Sequence, residues 1–336
     1  TNVTDIAIIG SGISALTIAH ALKDAANVTI FEKSPGTGGR MATRRAASYS
    51  FDHGAQFFTA KSQSFQDFLA PMRVGGIVQR WDARFAEIEN RKIISQRVWN
   101  EENPHFVGTP GMNAIGRHLS HGLIIRLNTR IEKIEKHQRW RLWAEGHQIV
   151  GQFDWVISTI PAPQAREIIP ASACFFRNIE TVKMKACFSL MLGFEQPIDM
   201  KFDAALVTGA NISWISVNSS KPGRPQVFCL LVHSSNKWAD KHINDDCDTV
   251  MNYLCRETSE IVGQEVATAS HKALQGWHFA NIDRQEGPTY HIDPDARLAV
   301  CGDWCIQGRI EAAFISGRDL ANHILTNINP RGATGA

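Results

Sequence analysis

Near its start the chain reads Gly10-Ser11-Gly12-Ile13-Ser14-Ala15, and Glu32 follows at the end of the next apolar run. Each residue type has a mechanical reason to stand there. Gly10 permits a tight turn, Gly12 lets a pyrophosphate approach the backbone, and Ala15 lets a helix pack closely on the preceding strand. A helix opening at Ile13 and Ser14 presents free N–H groups and the positive end of its dipole to phosphates. A carboxylate at Glu32 can accept hydrogen bonds from a ribose diol. The chemistry implied is dinucleotide binding. These residues alone do not separate FAD from NAD.

The surrounding elements are those such a site requires. Periodicity predicts a strand over 6–9, a helix over 15–23 and a strand over 28–31. Residues 61–100 mix short helical and strand signals. A helix is expected over 112–119, strands over 124–134 and 139–143, and a buried strand over 153–161 that ends in proline. Strand-like runs then dominate, at 188–194, 212–217, 227–233 and 273–277, with one amphipathic helix over 245–262. The last elements are a strand over 298–303 and a helix over 310–326. The fold class expected is α/β: a Rossmann-type FAD-binding domain with a second α+β domain built on an antiparallel sheet. The nucleotide domain is discontinuous, at 1–75, 100–161 and 293–330, with the substrate domain at 76–99 and 162–292. The Gly/Thr-rich end, 331–336, is expected to be a disordered tail.

The stretch Gly36-Thr37-Gly38-Gly39-Arg40-Met41 decides between the two cofactors. It resembles the glycine–glycine–arginine signature of the flavin amine oxidase superfamily, whose fold is also p-hydroxybenzoate hydroxylase-like. The resemblance implies that Arg40 reaches the FAD pyrophosphate, a role that suits a planar, always-charged fork. It also implies that Lys33, Gly39 and Met41 lie along the cofactor, and that the segment around Gly54 and Ala55 runs beside the flavin ring. Gln56 and Phe57 would then face flavin or substrate. One of Phe57 and Phe58 belongs to the core, since strand neighbours face opposite sides. The C-terminal run Gly302-Asp303-Trp304 to Arg309-Ile310-Glu311 resembles the closing motif of that superfamily. There Asp303 would hold the ribityl chain or the pyrophosphate, and the helix start would stabilise charge at the flavin N1/C2=O edge. Ile131 is a further expected cofactor contact.

Composition narrows the class. The chain has 336 residues with 43% hydrophobic and 20% charged, as in a soluble globular protein of two lobes. With 35 basic against 33 acidic residues, neither nucleic acid nor an anionic membrane is the expected partner. No apolar run is long enough for a membrane span, and the first strand leaves no room for a signal peptide, so a cytoplasmic location is expected. The seven cysteines are scattered. Reduced, mostly buried thiols are expected, with no metal site.

A closer resemblance covers about 300 residues. Gly38 to Arg45, Gly54 to Phe57, Gly108-Thr109-Pro110-Gly111-Met112, Phe153 to Pro161, Val232-His233-Ser234, Gly276-Trp277-His278 and the segment from Gly302 to Gly317 are similar, in order, to the renalase family, its bacterial members above all. That resemblance implies non-covalent FAD. It implies oxidation of the 2- and 6-dihydro isomers of NAD(P) by hydride transfer to flavin N5, with O2 reduced to hydrogen peroxide. No protein residue need act as acid or base, because the flavin carries the chemistry. The substrate pocket is then expected at Phe57, Phe58, Thr59, Lys61, Arg97, Trp214, His233 and Trp277. Arg44 is a further candidate cation for substrate phosphates, and a monomer is favoured. Two alternatives stay open: a flavin-dependent amine oxidase, and a flavin-bound redox sensor without turnover. Against the first, Ile306-Gln307-Gly308-Arg309-Ile310-Glu311 lacks the aromatic ring that amine oxidases place beside the flavin, and the chain has only three tyrosines.

Overall fold

The computed structural model describes residues 3–328, so the expected tail at 331–336 lies outside the described residues. Packing divides the chain into two compact units. The first takes the chain up to Gly39, Gly116–Met184, and the chain from Asn281; the second takes Arg40–Ile115 and Lys185–Ala280.

The first unit is a Rossmann-like α/β layer structure. Its six-stranded sheet has the order Tyr290–Asp293, Leu298–Cys301, Trp155–Ser158, Thr4–Ile9, Ala26–Phe31, Ile124–Arg126. All neighbours run parallel except the first pair. Its central strands are mostly apolar because both faces are covered. Ala7, Ile9, Phe31, Val156 and Val300 pack on Trp140, Leu142 and Phe153 of a three-stranded antiparallel sheet, Ile131–Lys136, Trp140–Ala144 and Gln148–Phe153. Ile6, Ile8 and Ile30 alternate with these and are fully buried. The helices Ile13–Leu22 and Ile310–Ile328 cross at small residues. Ser14 Oγ donates to the Ala313 carbonyl at 2.6 Å, and a Cβ on Gly317 would come within 2.7 Å of the Ser14 carbonyl oxygen.

The strand expected over 124–134 is two strands in two sheets. Asn128 turns the chain with φ +51°, and Thr129 N–H then donates to the Glu32 carbonyl at 2.8 Å. The strand expected over 153–161 also divides, at Asp154. Its carboxylate accepts from Asp5 N–H at 2.8 Å and pairs with Arg139 at 3.1 Å, pinning the change of sheet. The run after Pro161 is helical, over Ala162–Ile168.

The second unit is built on a seven-stranded sheet: His271–Asn281, Lys185–Gly193, Cys229–Ser234, Ile212–Val217, Ala204–Thr208, Arg84–Glu89, Lys92–Val98. It is antiparallel over most of its width, with Arg84–Glu89 joining Ala204–Thr208 in parallel. One face carries Leu190, Leu192, Ile215, Val217, Leu230 and Val232 against the helix Cys247–Val262. Asp246 caps that helix at its start, and Gly263 ends it with φ +70°. Period-two alternation turns Ser189, Trp214, Ser216 and His233 to the opposite face.

The units divide the chain at other points than the expected domain boundaries. Residues 162–184 pack with the first unit, because Ala162, Ala165, Phe175 and Ile179 complete the core around Val156 and Val300. The strand Tyr290–Asp293 is the edge of the parallel sheet, so it too sits there. Residues 40–75 and 100–115 group with the second unit, where Asp52 ties them to residues 218–224. Among the described residues no helix is long and apolar enough to cross a membrane. All seven cysteines are free thiols, and Cys187, Cys229, Cys255, Cys301 and Cys305 are buried.

Candidate functional site

In the first unit the two glycine turns meet back to back. Gly10 has φ +98°, and a Cβ there would fall 2.6 Å from Thr159 Oγ1. Gly39 has φ +59°, and its Cβ would sit 3.3 Å from Gly12 Cα. Gly38 N–H donates to the Ser11 carbonyl at 2.9 Å, and Gly116 leaves room for Gly38, which a Cβ would approach to 2.8 Å. On the Gly12 Cβ side nothing lies within 4 Å, so the turn is open where a pyrophosphate would approach. No side chain caps the helix at Gly12. The N–H groups of Ile13, Ser14 and Ala15 are therefore not taken by a capping side chain, and they precede the first intrahelical bond, Leu16 N–H to the Gly12 carbonyl.

Glu32 is buried. Its Oε2 accepts from Ser11 N–H at 3.0 Å and from Ser11 Oγ at 2.5 Å, and its Oε1 accepts from Ser34 N–H at 3.0 Å. A carboxylate offers about four acceptor positions, so Oε1 keeps capacity for a ribose hydroxyl. Lys33 is exposed beside it, and Ile131 is buried among the core side chains of this unit. At the C-terminal end Gly302 has φ +152°, Asp303 is buried, and Gln307 N–H donates to the Asp303 carbonyl at 2.7 Å. Arg309 is exposed, and Ile310 and Glu311 form the first turn of the last helix. These groups fit a bound dinucleotide: open backbone at Gly12, an uncapped helix start and a carboxylate with a spare acceptor.

In the second unit Arg40 and Gly54 cross backbone to backbone. Ala55 N–H donates to the Arg40 carbonyl at 2.8 Å, and a Cβ on Gly54 would collide with that same oxygen. Arg40 is half-buried, and its guanidinium donates to the Ala280 carbonyl at 2.8 Å. Met41 is buried. The Gln56 amide is spent on the scaffold. Its Nε2 donates to the carbonyls of Asp52 (2.5 Å) and Gly54 (3.1 Å), and its Oε1 accepts from Trp214 Nε1 (3.3 Å) and Ser216 Oγ (3.1 Å). Gln56 thus braces the segment.

Phe58 is the core member of its pair, packed on Phe65 and Phe106. Phe57 is half-buried among Trp99, His105 and Trp214. Thr59 is half-buried. Lys61 and Arg44 are exposed; Arg97, also exposed, lies over the Phe85 ring at 4.7 Å with Glu87 at 3.8 Å.

Register brings the other expected pocket residues together. His233 pairs across the sheet with both Ser189 and Trp214. The His53 carbonyl accepts from Ser189 Oγ at 2.5 Å and from Trp277 Nε1 at 2.9 Å, and the His53 and Trp277 rings are 5.3 Å apart. Burial drives the His233 imidazole down to about 4, with Lys221 and His53 adding to the same direction and a hydrogen bond to the His53 backbone opposing it. His233 is therefore neutral at neutral pH, with Nε2 unpartnered.

Sequence reasoning missed a buried ion cluster. Asp52, Lys221 and Arg224 are almost completely buried, with Asp52 Oδ2 at 3.1 Å from Lys221 Nζ and 2.5 Å from an Arg224 nitrogen. Asp52 Oδ1 accepts from Thr43 Oγ1 (2.9 Å) and Met112 N–H (3.0 Å). Burial pushes the Asp52 carboxyl up, but the charges of Lys221 and Arg224 and the hydrogen bonds from Arg224 and Met112 outweigh it and hold it at about 2. Burial brings Lys221 down to about 8 despite Asp52, with Arg224 adding to the fall. Trp81, Trp99 and His105 were also missed; the only signal in the sequence is a local excess of aromatic residues between 81 and 106.

Residues 8–71 match the NAD(P)-binding Rossmann-like domain, and residues 84–325 match flavin containing amine oxidoreductase. Among solved structures, a protein from Exiguobacterium sp. 255-15 assigned as a protoporphyrinogen oxidase superposes with a TM-score of 0.77 at 12% identity, covering 97% of this chain and 100% of the other. A putrescine oxidase bound to putrescine superposes with a TM-score of 0.68 at 10% identity, covering 96% and 99%. A triple mutant of putrescine oxidase redesigned in its cofactor binding gives 0.70 at 10% identity, with the same coverage. At these identities the likeness is one of fold.

Proposed function

The chain belongs to the flavin containing amine oxidoreductase family, and on that premise we propose that it is a renalase-like, non-covalent FAD oxidase of 2- and 6-dihydro-NAD(P), producing NAD(P)+. When bound, FAD supplies hydride acceptance at N5 and return of the electrons to O2 as hydrogen peroxide. In the first unit, Gly10, Gly12 and the helix start would receive the pyrophosphate, Glu32 a ribose, and Asp303 with the Ile310 turn the far end of the cofactor. In the second unit, Gly54 and Ala55 offer flat backbone beside Arg40.

One observation carries the choice of substrate. The segment Ile306–Glu311 has no aromatic side chain to form an amine cage, while the second unit gathers Phe57, Trp81, Trp99, His105 and Trp214 into one ring cluster. Trp81, Trp99 and Trp214 are buried, and the half-buried Phe57 and His105 offer the aromatic surface that suits a planar nicotinamide. His233 is held neutral and the Trp277 N–H is committed to His53, so these residues orient a ring and exclude water without moving a proton. Hydride transfer needs no more than that from the protein.

The test is anaerobic mixing of the purified flavoprotein with candidate donors. Flavin absorbance should bleach within seconds with 6-dihydro-NAD and far more slowly with 4-dihydro-NADH or monoamines. Faster bleaching by a monoamine such as putrescine would establish the amine oxidase reading instead.

A further inference from the structure

In the second unit, three successive carbonyls of the segment that crosses Arg40 are each held by a side chain. Those of Asp52 and Gly54 accept from Gln56 Nε2 at 2.5 Å and 3.1 Å. The one between them, of His53, accepts twice, from Ser189 Oγ at 2.5 Å and from Trp277 Nε1 at 2.9 Å. Trp277 Nε1 also donates to Ser189 Oγ at 3.2 Å, so the two donors hold each other in place. They stand on the adjacent strands Lys185–Gly193 and His271–Asn281, and Ser189 is completely buried. The peptide joining His53 to Gly54 is therefore clamped at its oxygen end.

Its nitrogen end is left open. Ala55 N–H, one residue on, donates to the Arg40 carbonyl, but Gly54 N–H has no acceptor among the described residues, and Gly54 is half-exposed. In a trans peptide the N–H lies opposite the C=O. Holding the His53 oxygen on Ser189 and Trp277 thus turns Gly54 N–H away from those two side chains. Two hydrogen bonds at the oxygen also polarise the peptide and strengthen its N–H as a donor. A donor of fixed direction stabilises charge that develops on a ligand without reorganising when it does so.

We propose that Ser189 and Trp277 are positioning residues: they fix and polarise the His53–Gly54 peptide so that Gly54 N–H donates to a carbonyl oxygen of the flavin ring. This rests on the flavin lying beside Gly54, as proposed above, and not on the identity of the substrate. The acceptor is an oxygen and not N5, because N5 carries a proton once the flavin is reduced and then offers nothing to a donor. A ring carbonyl accepts in both states and gains negative charge on reduction. The clamped peptide thereby favours reduced over oxidised flavin.

The test is the midpoint potential of the bound flavin, titrated anaerobically against a reference dye with no substrate present, so that turnover does not enter. Ser189→Ala and Trp277→Phe each remove one donor from the His53 oxygen, and the second keeps a ring in place. Each should hold reduced flavin about threefold less tightly relative to oxidised flavin, and the double variant about tenfold, read as a lowered potential. Thr258→Ala is the control: it removes a buried hydroxyl bond to the Leu254 carbonyl in the helix Cys247–Val262, and should lower stability while leaving the potential unchanged. Either single variant reads the clamp if the other does not fold. Unchanged or raised potentials in the Ser189 and Trp277 variants, or an equal fall in Thr258→Ala, would overturn the positioning role, and a protein that takes up no flavin would overturn it together with the site. The dihydronicotinamide reading fails separately, if 6-dihydro-NAD leaves the flavin unbleached while the variants shift its potential as expected.

Discussion

The indole N–H of Trp277 donates to the backbone carbonyl of His53 at 2.9 Å, and Ser189 Oγ donates to the same oxygen at 2.5 Å. Two donors from neighbouring strands of one sheet thus hold the residue that precedes Gly54. Trp277→Phe keeps a ring and removes one donor. It should destabilise the second unit by about 1 kcal/mol, and Ser189→Ala by a similar amount. The double variant should lose less or more than the sum by at least a few tenths of a kcal/mol, because both act on one acceptor. Denaturant midpoints read by tryptophan fluorescence check this; strict additivity would mean that the shared carbonyl does not couple them.

Gly54→Ala tests the backbone crossing with Arg40. The added methyl would meet the Arg40 carbonyl oxygen, and backbone on both sides has no rotamer with which to yield. A loss on the order of 3 kcal/mol is expected, in the range of severe steric substitutions, together with displacement of the Ala55–Arg40 hydrogen bond. Retained FAD and an unchanged unfolding midpoint in this variant would show that the crossing is looser than its geometry.

The nucleotide half of this architecture was legible because its cause is local. Gly10, Gly12, Ala15 and Glu32 lie within one strand–helix–strand unit, so spacing alone implies their roles. Alternation likewise indicated that one of Phe57 and Phe58 is core, and Phe58 is. The second unit was less legible because its groups assemble across long separations. Asp52 meets Lys221 and Arg224 from some 170 residues away, and Lys221-Pro222-Gly223-Arg224 reads in sequence as an ordinary charged turn. The break at Asn128 was hidden by a different cause: an asparagine with φ +51° carries no mark that distinguishes it from one in a strand. The bonds of Gln56 to Trp214 and Ser216 were not legible, because they are set by sheet register, which a single sequence does not display.

The buried ion cluster has two cations and one carboxylate, so its members are unequal. Asp52→Asn leaves Lys221 and Arg224 facing each other without a counter-charge, and a loss of about 3–5 kcal/mol is expected. Lys221→Met leaves a neutral Asp52–Arg224 pair and should fall within about 1 kcal/mol of the unaltered protein, since burial already depresses Lys221 to about 8. The carboxyl of Asp52, held near 2, contributes stability that is present above its unfolded pKa near 4 and lost as pH falls toward 2. That acid limb is worth roughly 2 kcal/mol. Unfolding midpoints of the two variants between pH 2 and 7 check both claims, and a Lys221→Met variant as unstable as Asp52→Asn would refute the charge argument.

His233 gives the complementary prediction at mildly acid pH. Its folded pKa is depressed to about 4 by burial, below the unfolded value near 6.5. Between those values the unfolded chain binds a proton that the folded chain refuses. Stability therefore rises with pH across that window and is flat above it, so far as this residue is concerned. His233→Gln removes the titration and should flatten the profile between about pH 4 and 6.5 while leaving the value at pH 7.5 nearly unchanged. Because Nε2 of His233 has no partner in the protein, the glutamine sacrifices no acceptor bond there. If the wild-type slope persists in the variant, another group is responsible, and His53, also lowered by burial and by the charge of Arg44, is the next residue to replace.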